Sequence, residues 1–315
     1  MVRRKVGVIG AGFVGATTAQ RLAEMNFADV GLVDIVEGVP QGKALDLVES
    51  GPVMNYGSMV RGANTYEVIA GADVVVVTAG LPRKPGMTRD DLLKKNAEIV
   101  GAVMDQVKRQ APDCILIVVS NPLDAMTYLA QKRTGWPRER VIGMAGVLDT
   151  ARFRSFIAME LKVSLRDVQA MVLGGHGDTM VPVARYASVS GIPLTELLPK
   201  EKIDAMIQRT RDGGAEIVNL LKTGSAFYAP SASVASMVEA IMLDEKRLMP
   251  CCVNLKGEYG LKDVYVGVPV ILGAKGVEKV VEVKLSPEEK KLLEASAAHV
   301  RETCQALDRV TAATA

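Results

Sequence analysis

One stretch near the amino terminus limits the possible folds more than any other. Lys5-Val6-Gly7-Val8-Ile9 is followed without a gap by Gly10-Ala11-Gly12-Phe13-Val14-Gly15. The first five residues read as a short buried strand, and residues 14–25 carry apolar side chains at helical spacing. A G-x-G-x-x-G pattern by itself is weak, because glycines punctuate many loops. Set between a strand and a helix, it predicts a tight turn that receives phosphates. Gly10 permits the turn, Gly12 lets the backbone approach a pyrophosphate, and Gly15 lets the helix lie close on the strand. The helix start adds unpaired N–H groups and a partial positive charge.

The same pattern calls for an acid about 20 residues further on. Asp34 follows the apolar run 30–33, 19 positions after Gly15. A carboxylate there accepts hydrogen bonds from ribose hydroxyls and repels a 2′-phosphate, so NAD is expected rather than NADP. Two more apolar runs, 73–78 and 115–119, are near-continuous, as strands buried on both faces of a parallel sheet are. Helical patterns at 92–110 and 123–133 follow them. Strands alternating with helices imply an α/β fold with a doubly wound parallel sheet of Rossmann type. Thr78-Ala79-Gly80 and Ser120-Asn121-Pro122 then fall at strand ends, where ligands of open sheets bind. Asn121 suits the nicotinamide ribose or the substrate, and equally an Asx-turn before Pro122.

The texture changes after about residue 145. A helix at 153–161 is expected, then short strands near 168–172 and 181–189, and helices at 201–221 and 232–243. Residues 253–255 and 264–272 read as paired strands. Ser286-Pro287-Glu288-Glu289 opens a terminal helix with a cap, a proline and acids in the first turn. At 315 residues the chain is long for one core. Two domains are expected: residues 1–145 for the dinucleotide, and residues 146–315 as an α+β substrate and catalytic domain.

Composition chiefly excludes. The net charge is +2, from 38 basic and 36 acidic residues, so nothing favours nucleic acid or a membrane surface as partner. The apolar run after the basic Arg3-Arg4-Lys5 breaks at Gly10, too soon for a signal peptide, and a cytoplasmic location is expected. The four cysteines, Cys114, Cys251, Cys252 and Cys304, form no Cys-x-x-Cys pair and read as buried thiols. With His176 and His299 the only histidines, a zinc site is not expected and the chemistry should need no protein-bound metal.

The most unusual local feature is Gly174-Gly175-His176-Gly177-Asp178. Small flanking residues allow an imidazole to be presented into a cleft, although a histidine in a plain turn fits as well. Moving a hydride between an alcohol and NAD requires a group that takes the hydroxyl proton, and histidine titrates in the right range. Asp149 is the candidate carboxylate to orient it, or else a simple N-cap, with Arg152 three residues on along the same face. An acidic substrate needs cations. Arg152, Arg83 and Arg89 are the candidates, the last two in a Pro- and Gly-rich segment, 80–89, that suits either a closing lid or a solvated loop.

Five motifs occur in order: Gly-Ala-Gly-Phe-Val-Gly from Gly10, Ala-Gly-Leu-Pro-Arg-Lys-Pro-Gly-Met-Thr-Arg from Ala79, Ser-Asn-Pro-Leu-Asp from Ser120, Leu-Asp-Thr-Ala-Arg-Phe from Leu148, and Gly-Gly-His-Gly-Asp-Thr-Met from Gly174. Together they resemble the lactate/malate dehydrogenase family, particularly its bacterial malate dehydrogenases of lactate-dehydrogenase-like type, over residues 4–310. The resemblance implies that His176 exchanges the proton with Asp149 as its partner. Arg152 would clamp the carboxylate beside the reacting carbon, and Arg89 would polarise the carbonyl. Asn121 would contact substrate and ribose, with Asn96 also in the cofactor-binding set. At the position of Arg83 the family's lactate enzymes usually carry Gln and its malate enzymes Arg. Arg83 therefore implies malate and oxaloacetate, a dicarboxylate pair, and Ala226, where lactate enzymes tend to have Thr, agrees. A homotetramer is implied, with a dimer as the alternative.

Two rival readings remain at this stage. One is a lactate or other 2-hydroxy acid dehydrogenase. The other is a dinucleotide-sensing protein without catalysis, which predicts a damaged His–Asp–Arg set, whereas His176, Asp149, Arg152 and Arg89 are all present.

Overall fold

A computed structural model describes residues 3–81 and 88–312. In chain order the first half runs β1 (Arg4–Ile9), α1 (Phe13–Met25), β2 (Ala28–Val33), α2 (Val39–Met54), β3 (Val60–Ala63), β4 (Val74–Val77), α3 (Arg89–Gln110), β5 (Ile115–Val118), α4 (Leu123–Thr134) and β6 (Val141–Gly143). These six strands are all parallel and lie in the order β3-β2-β1-β4-β5-β6. That is the doubly wound order, and its switch point falls between β1 and β4. The α/β class and the Rossmann sheet are as expected.

Alternation along the central strands shows why their sequences are apolar throughout. Val75, Val77, Leu116 and Val118 pack on one face against Val100, Met104 and Val107 of α3 and Met126 of α4. Val74, Val76, Ile115 and Ile117 point the other way, towards Ala19 and Leu22 of α1 and Val234 and Val238 further along the chain. Both faces are covered, so no position in these strands can be polar. Each such side chain contributes about 1.5–3 kcal/mol on burial.

The second half comprises α5 (Gly146–Leu161), β7 (Val168–Gln169), β8 (Val172–Leu173), β9 (Val181–Pro182), β10 (Ser188–Val189), β11 (Ile192–Pro193), α6 (Leu194–Leu197), α7 (Lys200–Leu221), α8 (Tyr228–Met242), β12 (Arg247–Lys256), β13 (Lys262–Gly273), β14 (Gly276–Val280) and α9 (Pro287–Ala312). Strands β12 to β14 form an antiparallel meander. It joins the parallel sheet through Cys252 opposite Gly143, giving nine strands in one sheet among the described residues. A Cβ on Gly143 would stand 2.8 Å from that of Cys252 and 2.6 Å from the Thr127 hydroxyl, so this approach needs glycine.

Several boundaries differ from the sequence expectation. The helix expected at 153–161 begins at Gly146, because Val147, Leu148 and Asp149 are already wound in its first turn. The helix at 232–243 starts earlier, at Tyr228. The short strands expected near 181–189 are β9 and β10, with one 3-10 turn, Ala184–Tyr186, between them. No expectation covered α2, whose Pro40, Gly42, Gly51 and Pro52 blur the helical pattern, nor the short strands β3 and β6. Ser286 does cap α9: its hydroxyl accepts from Glu289 N–H at 3.2 Å, and the Glu289 carboxylate accepts from Ser286 N–H at 2.7 Å.

Candidate active site

The ends of β1, β2, β4 and β5 open on the same edge of the sheet. The turn after β1 is tight: Gly10 sits at φ +99°, and a Cβ on Gly15 would overlap the Gly10 carbonyl oxygen. Gly12 instead faces open space, with nothing within 4 Å of where its Cβ would be. The helix N-terminus that follows has no side-chain cap. Unpaired N–H groups, a positive helix end and a missing side chain form a cradle that fits a pyrophosphate. Asp34 stands beside it, its carboxylate accepting from Ala11 N–H at 2.6 Å and Val36 N–H at 3.0 Å. The ammonium of Lys43, unmarked by the sequence reading, donates to the Ala11 carbonyl at 2.6 Å and braces the turn from α2.

The second part of the site is built across α5 and the loop after β8. The two elements are tied by Val172 N–H donating to the Thr150 hydroxyl at 3.0 Å. His176 Nδ1 lies 2.9 Å from Asp149 Oδ2, and Asp149 Oδ1 accepts from Arg152 at 3.1 Å. Asp149 is 2% exposed, so it has exchanged water for these two cationic or polar partners. The alternative that made it a cap is removed: the N-cap is Ala145, and Asp149 sits inside the helix. Burial is the largest influence on His176 and pulls its pKa down. The charge and hydrogen bond of Asp149, helped by Asp124, outweigh it, and the imidazole titrates above its ordinary value.

Arg152 has room to act because of two glycines on α7. A Cβ on Gly213 would come within 3.1 Å of Arg152 Cδ, and one on Gly214 within 3.6 Å of its terminal nitrogen. The Arg152 Nε is buried with no hydrogen-bond partner among the described residues. An unsatisfied donor next to the imidazole is a place for an anionic oxygen to bind. No signal in a single sequence marks Gly213-Gly214 as part of a site, since they read as weak helix residues.

Asn121 ends the β5 loop, exposed, in a cis peptide with Pro122. The other asparagine of the expected cofactor-binding set, Asn96, lies on α3. It is 1% exposed, its oxygen accepts from Leu81 N–H at 2.7 Å, and its amide donates to the carbonyls of Leu81 and Asn121 at 3.2 and 2.7 Å. Every polar atom of its side chain is engaged in pinning the β4 and β5 loops together. Asn96 therefore ties together the two loops that edge the crevice. Arg83 lies outside the described residues. Arg89 opens α3 behind a capping box of Thr88 and Asp91, and its side chain is likewise outside the description. Among the described residues, no group of three or more His, Cys, Asp or Glu side chains could hold a metal ion, and no helix is long and apolar enough to cross a membrane.

Two further residues behind His176 carried no assigned role. Asp124 is 8% exposed, and its carboxylate accepts from the His176 backbone N–H at 2.8 Å. Burial raises its pKa. Ser296, fully buried on α9, accepts from Gly175 N–H at 2.8 Å.

Comparison with known proteins agrees with this geometry. Residues 4–143 match the model of the lactate/malate dehydrogenase NAD-binding domain, and residues 146–309 that of the lactate/malate dehydrogenase alpha/beta C-terminal domain. The chain is 59% identical to a malate dehydrogenase of Thermomicrobium roseum, over 98% of this chain and 100% of that one. It is 59% identical to the malate dehydrogenase of Chloroherpeton thalassium, over 96% and 97% of the two chains. Among solved structures, the malate dehydrogenase of Salinibacter ruber superposes with a TM-score of 0.95 at 52% identity, covering 99% of this chain and all of that one. A lactate dehydrogenase of Cryptosporidium parvum, complexed with lactic acid and NAD, reaches 0.95 at 44% identity over 98% and 99%.

Proposed function

This chain belongs to the lactate/malate dehydrogenase family, and we propose from that premise how its own residues perform the chemistry. The activity is the reversible, NAD-dependent oxidation of (S)-malate to oxaloacetate. The observation that carries the mechanism is Asp149, which holds His176 with one carboxylate oxygen and Arg152 with the other. NAD, when bound, supplies the nicotinamide ring that takes the hydride from C2 of malate. Gly10, Gly12, Gly15 and Asp34 hold its pyrophosphate and ribose, and Asn121 lies at the rim of the same crevice.

Because Nδ1 of His176 faces Asp149, Nε2 is the nitrogen left for substrate. Neutral His176 takes the hydroxyl proton on Nε2 as the alcohol becomes a ketone, and Asp149 stabilises the imidazolium that results. In the reverse direction the imidazolium returns that proton to the carbonyl oxygen of oxaloacetate. Arg152 holds the carboxylate next to the reacting carbon, using the Nε and guanidinium face that Asp149 leaves free. Arg89 stabilises negative charge on the reacting oxygen, and Arg83 pairs with the second carboxylate. In the sequence Arg83 falls between β4 and α3, and Arg89 is the first residue of α3.

Lactate oxidation is the second reading, favoured by the likeness to lactate dehydrogenase structures. Leaving Arg83 opposite a methyl group argues against it. The deciding experiment follows NADH consumption with oxaloacetate and pyruvate in parallel. Fast loss with oxaloacetate alone is expected, and a preference for pyruvate would reverse the assignment of Arg83.

The enzyme acts as a homotetramer, with a dimer the alternative, in the cytoplasm. Support for assembly comes from apolar side chains left exposed on α2 and just before it, namely Leu45, Val53, Met54 and Ile35. Free, unpaired cysteines suit a reducing compartment. Light scattering on the purified protein reads the assembly directly.

A further inference from the structure

The loop that carries His176 is gripped from behind at two successive amides. Asp124, in the first turn of α4, accepts from His176 N–H at 2.8 Å. Ser296, on the terminal helix α9, accepts from Gly175 N–H at 2.8 Å and donates onward to the Thr179 hydroxyl at 3.0 Å. One residue earlier, Gly174 exchanges a pair of backbone hydrogen bonds with Gly267 of β13, both 2.9 Å. Gly175 has no space for a side chain, since a Cβ would meet Val300 of α9 at 2.7 Å. Three elements distant in sequence thus converge on three consecutive residues, and the imidazole is the next group along the chain.

We propose that Asp124 and Ser296 form a positioning clamp, which fixes the backbone of His176 so that its imidazole is held between Asp149 and the substrate. Neither residue touches the reacting atoms. The chemistry asked of each is only to accept one N–H in a buried place, where an unmet donor would be costly. Asp124 is unusual for that task. A hydroxyl or amide would do as well, since the other neighbour of the buried carboxylate is the uncharged Cys252 thiol. The acceptor, not the charge, is the working part. The helix α9 then serves catalysis as well as packing, because its Ser296 takes the amide next to the one that Asp124 of α4 takes.

The inference rests on the reading of His176 as the proton donor and acceptor, and the test separates the two. The wild-type enzyme is assayed first with oxaloacetate and pyruvate. Whichever keto acid it reduces becomes the substrate for the variants, so the clamp is judged independently of substrate identity. Asp124→Ala is expected to lower kcat by about 10- to 100-fold, as a displaced catalytic group does. Its NADH affinity, read by fluorescence quenching, should stay within about twofold of wild type, in line with the distance of the clamp from the phosphate turn. Asp124→Asn, which keeps an acceptor, should recover most of the rate. Ser296→Ala should act in the same direction, and neither change should lower the residual activity of His176→Asn any further. The proposal is overturned if Asp124→Ala keeps its kcat, if Asn restores no more than Ala, or if NADH binding falls together with kcat.

Discussion

His176 Nδ1 and Asp149 Oδ2 meet at 2.9 Å across two elements, although the residues are 27 positions apart in the chain. The contact sets both the orientation and the proton affinity of the imidazole, because Nδ1 is committed to the carboxylate and Nε2 is left for substrate. Replacing His176 with Asn should therefore lower kcat by about 10²- to 10⁴-fold in both directions. NADH affinity should be unchanged, and stopped-flow turnover together with fluorescence titration checks both parts.

The two directions should depend on pH in opposite senses. Oxaloacetate reduction needs the imidazolium and should fall as pH rises through the His176 pKa. Malate oxidation needs the neutral ring and should rise over the same range. Since Asp149 raises that pKa, the common midpoint should lie above the ordinary value of about 6.5. Asp149→Asn should move it down. Profiles of kcat/KM in which both directions share a midpoint unaffected by Asp149→Asn would break the assignment.

The raised pKa has a counterpart in stability. A histidine that binds its proton more tightly when folded stabilises the protein fully below the unfolded pKa, and that contribution is lost as pH rises through the folded pKa. The melting-temperature difference between wild type and His176→Asn should accordingly be largest in mild acid and shrink above neutrality. Calorimetry across that range reads the difference directly.

Substrate choice should follow Arg83. Arg83→Gln should weaken discrimination against pyruvate by a factor on the order of 10⁴ at most, the range seen when a polar group of a site is left unpaired. Competition between oxaloacetate and pyruvate for the variant tests this. An unchanged ratio would remove Arg83 from its role.

Gly213 tests the seat of Arg152. A methyl group there meets Arg152 Cδ at 3.1 Å, and a larger side chain must displace it. Gly213→Val should raise KM for oxaloacetate at least about 10-fold, the cost of a misplaced binding group, while the NADH KM stays constant. Steady-state kinetics with each substrate varied in turn distinguishes the two constants.

Legibility in the sequence followed the range of the interactions. The strand, glycine turn, helix and Asp34 were readable because their partners are close in the chain: Gly10 and Gly15 touch within one turn, and the Ser286–Glu289 cap spans four residues. The hydrogen bonds of Asn96 were not readable, because its partners Leu81 and Asn121 are 15 and 25 positions away, in loops brought beside it only by tertiary packing. The start of α5 was missed because Gly146 and Val147 are poor helix formers, and the first turn is held by burial of Gly146 and Leu148.

The sequence by itself determined the α/β class and the dinucleotide turn with its preference for NAD, and it singled out His176, Asp149 and Arg152 as candidates for the chemistry. Local spacing and residue chemistry suffice for these. Only the tertiary structure decided how the parts are held. It showed that one buried carboxylate serves both His176 and Arg152, that Gly213 and Gly214 leave space for the guanidinium, and that Asp124 and Ser296 take the amides behind the imidazole. Apart from the Asp149–Arg152 pair, three residues apart on one helix, those relations join residues at least 27 and up to 121 positions apart. Hydrogen bonds over such separations exist only after the sheet has formed and the helices have packed on it, so no local pattern in the chain encodes them.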